Sequence, residues 1–432
     1  MSELTAPTGK ARQSPQEARF QELSARTDKR NFRLGVSNGV LYGLGTYFIS
    51  RSTVIPSFFS HLTSSSALIG IVSQFESIGW YLPQFFAATF VVHRARKLPL
   101  YRMATLLRAS AFFGLATVTL LAPDPTWLLL ISVILYGLFS SGAGLSGFVF
   151  LELVAKAIAP NKRGKFFGLR TAIGSLLSAT FGAALISFFL VAFAFPTNFG
   201  YVFLVGAVIA TLGLICMAIM REPRAPMVPD ERSFLEHFRM GWHIYRSDRR
   251  YFRYVNIRLL MASWTIGVPF LVLFANNRLG FQTGDLGIFI AADCIGVIAG
   301  SFFWGRLTDR KSSKACLEVV AVIGALMPLI VLLYLVFPLP RVLYPVVFSL
   351  AAAVDAGTGI GGLTYLIEIS PEHDRSTYIA LFNSLLALPC FLTALAGALL
   401  DWAGYGWLYG IVLAIAVGSV FAVRKLELVH KH

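Results

Sequence analysis

The chain has 432 residues, of which 56% are hydrophobic and 14% charged, and its formal net charge is +15. Ordinary soluble domains carry about 25% charged residues, so this composition excludes a soluble globular enzyme and points into a membrane. Cys216, Cys294, Cys316 and Cys390 stand singly, without a C-x-x-C pair or a metal-ligand spacing, so neither a disulfide framework nor a cysteine metal site is expected.

In chain order, residues 1–33 are polar, rich in Lys and Arg, and contain no apolar run of the kind a secretory signal requires. They read as a disordered cytoplasmic tail. A bilayer-spanning helix needs about 20 mostly apolar residues. Twelve such spans follow, at 34–60, 67–92, 100–122, 126–151, 166–194, 199–220, 254–276, 284–304, 315–337, 342–369, 376–400 and 404–423. The fold class is therefore an all-α polytopic membrane protein with twelve transmembrane helices. Its expected units are a six-helix bundle over 34–220, a cytoplasmic linker over 221–253, a second bundle over 254–423, and a cytoplasmic tail over 424–432. Within the linker, "SFLEHFRMGWHIYRSDRRYFRY" spaces Phe234, Phe238, Trp242 and Tyr245 as on one helix face among arginines, which suits a helix lying in the membrane interface.

Lys and Arg set the orientation. All but Arg51, Arg108, Arg278 and Arg341 of the 37 fall on the side of the N-terminus or at span ends next to it. Both termini are therefore expected in the cytoplasm, with the chain crossing the inner (plasma) membrane many times. The positive charge then faces anionic lipid headgroups, and no nucleic-acid partner is expected.

The two halves repeat. A shift of 216 residues places Glu152 on Glu368 and His93-Arg94 on Asp309-Arg310. "ELVAKAIAPNKRG" gives Glu152, Pro160 and Arg163, and "EISPEHDRS" gives Glu368, Pro371 and Arg375. Two six-helix repeats joined by a linker match transporters that rock two bundles about a site near the midplane. "GRLTDRKSSK" (305–314) resembles the loop signature of the major facilitator superfamily between the second and third helices of a half. "YLIEISPEHDRS", with Tyr365, Glu368, Pro371 and Arg375, resembles a second pattern scattered through that superfamily. The resemblance implies two pseudo-symmetric six-helix bundles and an inner gate. Asp309 and Arg310 would tie helix ends together, Glu368 and Arg375 would be further partners, with Glu152 and Arg163 in the first half, and Gly305 would permit close approach of helices. The chain departs from the pattern at Ser312, where the signature has glycine, and at Thr89 and His93 in the first half.

Ionisable groups far from span ends cost at least about 2.5 kcal/mol each unless they face a partner or a cavity. Arg51 and Glu76 lie at similar depth in adjacent antiparallel spans, so they are expected to pair. Asp293 and Asp355 sit inside spans eight and ten with no obvious local base, which suits carriage of a proton. Of the two, Asp355 is preferred, because it opens the small-residue run "DAGTGIGG". Arg108 is expected to reach the headgroups or Glu152. Asn38, Tyr42, Gln74, Gln84, Asn256, Tyr365 and Asn383 are further polar candidates for a cavity wall. "GTGIGG" lies within an apolar span with no preceding strand, so it reads as helix packing and not as a phosphate loop.

No catalytic constellation appears, and no enzyme is expected. The expected function is secondary active transport of a small organic solute by alternating access, coupled to protons. Solute, protons and anionic lipids would be its partners, with no cofactor or metal and the chain acting as a monomer. The alternative is a non-transporting receptor or assembly factor on the same scaffold.

Overall fold

In the bilayer core there is no water to satisfy backbone N–H and C=O groups, so each spanning segment must close its hydrogen bonds internally. The computed structural model of the protein, which describes residues 15–82, 96–121, 124–159, 162–222, 234–371 and 374–428, is accordingly helical, with no strand among the described residues. Thr89, His93, Arg94 and Gln84 lie outside them. Nine helical segments within the described residues are long and apolar enough to cross a membrane. One, Thr377–Val423, is two spans run together and bent at Gly404, whose φ of +81° favours glycine. Spans one and two complete the twelve, one as Pro15–Tyr47 with Val54–Ser60 and the other from Ser66–Ser73 onward.

The same helix pairs pack in both halves. Span three contacts spans four and six (Leu98–Leu121 against Pro125–Ala157 and Thr197–Ala218), and span nine contacts spans ten and twelve (Ser313–Val336 against Val346–Ile369 and Leu388–Val423). Local signals place the ends. Asp124 accepts from the Thr126 N–H ahead of Pro125, and the Ser312 hydroxyl accepts from the Ala315 N–H. The residue standing where the loop signature has glycine is thus the N-cap of span nine.

The N-terminal tail departs from expectation, because its last part continues span one as helix. Lys162 Nζ lies 2.5 Å from Asp28 Oδ2, and the Asn31 amide donates to the Arg221 carbonyl at 2.9 Å. In the linker, Phe234–Ser247 is a helix, and it packs on Arg375–Leu386 at the start of span eleven.

The face carrying both termini and the opposite, far face differ. On the far face the halves meet without space for a side chain. A Cβ at Gly397 would lie 2.2 Å from the Ser66 carbonyl oxygen, and one at Gly287 would lie 2.4 Å from that of Ala183. Asp401 accepts the Ser66 N–H through both oxygens, at 3.0 and 3.3 Å, and the Ser187 hydroxyl donates to the Gly284 carbonyl at 2.7 Å. Toward the termini face the halves separate. A groove of about 660 Å³ opens there between span five, at Phe167 and Thr171, and spans eight and ten, at Phe302 and Leu363. The halves are thus in close contact on the far face, and a groove lies between them toward the termini face.

Candidate functional site

Three breaks in helix geometry build the site. Span one, expected to be continuous over 34–60, is interrupted between Tyr47 and Val54, and Arg51 lies in the gap. Span two turns at Gln74. Span seven is divided into Arg249–Met261, Ser263–Gly267 and Pro269–Leu279. Proline has no N–H, so Pro269 leaves the carbonyl four residues earlier, on Thr265, without its helical donor. The Val268 N–H reaches that carbonyl at 3.4 Å, and the Gln74 side-chain amide donates to it from the other half at 3.1 Å.

The breaks surround a cavity of about 250 Å³ lined by Tyr47, Ser50, Arg51, Ser52, Glu76, Trp264, Asp293, Phe348 and Asp355, among others. All four mid-span charges singled out in the sequence line this one space, two from each half. Arg51 Nη2 lies 3.6 Å from Asp355 Oδ1, with side-chain exposures of 22% and 58%, so an ion pair bridges the halves across partly hydrated space. The Tyr47 hydroxyl donates to Asp293 Oδ2 at 3.1 Å, a second bridge between the halves.

These contacts correct two expectations. Arg51 pairs with Asp355 across the halves and not with Glu76 beside it, because the break re-aims the arginine out of the helical register that depth counting assumes. Asp355 therefore has a base close by. Asp293 is the carboxylate whose bonded partner is a neutral phenol, and among the described residues it has no cation within 4 Å.

The residues assigned by resemblance to an inner gate lie apart from the cavity, at the termini face. Asp309 and Arg310 end the Leu286–Arg310 helix. Glu368 accepts from the Ser313 hydroxyl, and Arg375 Nε has no hydrogen-bond partner among the described residues. Gly305 does not bring helices together, because no described atom beyond its own helix lies within 4 Å of the position its Cβ would take. In the first half, Glu152 pairs with Lys97 Nζ at 2.7 Å, while Arg163 donates to the carbonyls of Ile158 and Ala155. Arg108 reaches neither headgroups nor Glu152. It is 3% exposed, bonded to the Tyr42 hydroxyl and to Ser146 Oγ, and stacked near the Tyr42 and Phe139 rings.

Of the other polar candidates, Gln74 lines an adjoining space. Asn38 donates to Gly213 within the first half, Asn256 bonds to Tyr245, and Tyr365 donates to the Glu427 carbonyl. Sequence reasoning missed Tyr47, Trp264 and Arg258. Pro269 was a visible signal of a break beside Trp264, and Arg258 was visible as a cation near a span end.

Comparison with known proteins gives a consistent picture. A family model described as Major Facilitator Superfamily matches residues 37–394. A Bacillus subtilis (strain 168) protein named for metabolite transport, YwtG, is 26% identical over 155 residues, covering 35% of this chain and a third (33%) of the length of that relative. Among solved structures, a D-xylose-proton symporter superimposes with a TM-score of 0.70 at 17% identity, covering 93% of this chain and 98% of its own. The nucleoside transporter NupG gives 0.70 at 15% identity, with 92% and 100% covered. An auto-inhibited peptide transporter of the POT family gives 0.72 at 11% identity, with 93% and 98% covered.

Proposed function

Since this chain belongs to the Major Facilitator Superfamily, a family of membrane transporters and not of enzymes, we propose that it moves a small organic solute through the central cavity by alternating access, with a proton carried by Asp293. The observation that carries the reading is the convergence of Arg51, Glu76, Asp293 and Asp355, two from each half, on one cavity. Charge buried at mid-membrane is costly unless it serves a pathway or a partner.

Two bridges hold the halves at the depth of the cavity, and each has a distinct part. The Arg51–Asp355 pair is made between halves, so opening the far face must break or stretch it. Discharging Asp355 would leave a guanidinium in the membrane without its partner. Discharging Asp293 leaves only a phenol to rearrange, because the Tyr47 oxygen that donates to the carboxylate is able to accept from the protonated acid. Asp293 is thus the carboxylate that takes on and gives up a proton at least cost to its surroundings, and the proton role passes to it from Asp355. The Lys and Arg asymmetry supports a plasma-membrane orientation with both termini cytoplasmic, which would put the groove toward the termini face on the cytoplasmic side.

The test is uptake into vesicles reconstituted with purified protein and offered a mixture of small organic solutes under an imposed pH gradient, with protein-free vesicles as control. Gradient-dependent enrichment of a solute in the protein-containing vesicles supports the reading. Identical contents in both would overturn it in favour of a non-transporting role.

A further inference from the structure

Span seven carries a cation that neither bridge uses. Arg258 is 7% exposed; its Nη2 donates to the Thr358 carbonyl at 3.3 Å, and the Tyr254 hydroxyl lies beside the guanidinium. Its Nε is buried and has no hydrogen-bond partner among the described residues. A guanidinium offers five N–H donors in a fixed fork, and a buried cation without a counter-charge is costly. Among the described residues no carboxylate lies within 4 Å of it, and Asp355, which lines the same chamber, pairs with Arg51.

The surroundings are shaped to hold the group in place. Arg258 lines a chamber of about 50 Å³ with Arg51, Gln74, Trp264, Asp355 and Thr358. Arg51, Trp264 and Asp355 also line the main cavity, so the two spaces adjoin through them. On the other side, Gly362 lets the guanidinium lie against span ten, because a Cβ there would sit 3.1 Å from its Cζ and Nε. The Phe382 ring centroid is 5.8 Å from Cζ.

We propose that Arg258 is the anion-binding residue of the substrate site, holding an oxyanion of the transported solute, a carboxylate or a phosphate, in this chamber next to Arg51. Both groups present paired oxygens that match the guanidinium fork. The acids of the main cavity, Glu76 and Asp293, then face the rest of the solute, which favours a zwitterion over a simple anion. The proposal rests on the transport reading for calling the ligand a solute, while the binding itself does not.

The experiment is thermal unfolding of the full-length protein in neutral-lipid nanodiscs, titrated with sodium acetate or sodium phosphate against sodium chloride at equal ionic strength. At least one oxyanion should raise the midpoint saturably where chloride does not. Arg258→Gln should weaken that response at least about tenfold in apparent Kd, with Arg258→Lys intermediate. Gly362→Ala, which crowds the guanidinium without removing its charge, should weaken it as well and decides the matter if Arg258→Gln fails to fold. A response to acetate alone identifies a carboxylate solute, and a response to phosphate alone a phosphorylated one. If Arg258 only braces spans seven and ten, its variants will lower the starting midpoint and leave the oxyanion response unchanged, which overturns the proposal. So does a response no different from that to chloride. Oxyanion binding that depends on Arg258 in a protein that moves nothing across vesicles would leave the site standing and remove the transport reading.

Discussion

Replacing Asp355 by Asn removes one side of the bridge between the halves while keeping its shape. At 3.6 Å, two unit charges attract by about 1 kcal/mol in bulk water and about 4 to 5 kcal/mol at an effective dielectric near 20. Asp355 is 58% exposed to the cavity, so water screens the pair and about 1 to 2 kcal/mol is the appropriate range. If the pair is made only while the far face is closed, the ratio of far-face-open to far-face-closed protein should rise about 5- to 30-fold. Spin labels at Ser64 and Gln282, both exposed and in far-face loops of opposite halves, report this by pulsed electron resonance. A longer-distance population should grow in Asp355→Asn, and to a similar extent in Arg51→Gln. The double variant should add little, because the coupling has already been lost. A distance distribution unchanged in both single variants would refute the idea that this pair helps to close the far face.

Asp401→Ala removes the acceptor of the Ser66 N–H on the far face; it should favour far-face opening by about 1 kcal/mol at this exposed site, seen with the same labels as a smaller shift of the same sign. Glu222 accepts the N–H groups of Lys97 and Leu98 and pairs with Lys156 at 3.2 Å, so Glu222→Gln should cost about 3 kcal/mol of stability; an unchanged unfolding midpoint would show that this network is dispensable. The gate role implied for Asp309 belongs to the far-face-open state. In an Asp355→Asn background, Asp309→Asn should increase labelling of Thr171→Cys from the termini face, and equal labelling would remove Asp309 from the gate.

The spans were legible because bilayer thickness and the need for internal hydrogen bonds leave a sequence little freedom. The repeat showed as Glu152 over Glu368, although those two residues ended in different contacts, with Lys97 and with Ser313. The four cavity charges were legible because each is expensive where it stands. Their partners were not. Counting residues from a loop gives depth but not azimuth, and it assumes an unbroken helix, which span one is not around Arg51. The bridges from Tyr47 to Asp293 and from Arg51 to Asp355 join residues 246 and 304 positions apart, across two bundles whose mutual placement no local pattern encodes. Pro269 announced the loss of the helical donor to the Thr265 carbonyl, yet the side chain that donates to it, Gln74, comes from the other half. Arg258 was visible as a cation, but its nearness to a span end, where a long cation ordinarily reaches water, gave no sign that it is buried.

The central claim is that Asp293 couples a proton to alternation of the cavity. It is tested most directly by comparing exchange with accumulation in vesicles containing wild type or Asp293→Asn, using a solute found by the uptake screen. Asparagine has the shape of the protonated acid but cannot release a proton. Exchange of labelled for unlabelled solute needs no net proton movement, so the account predicts that it survives in Asp293→Asn while accumulation driven by a pH gradient is lost. Gradient-driven accumulation that persists undiminished in that variant would contradict the account.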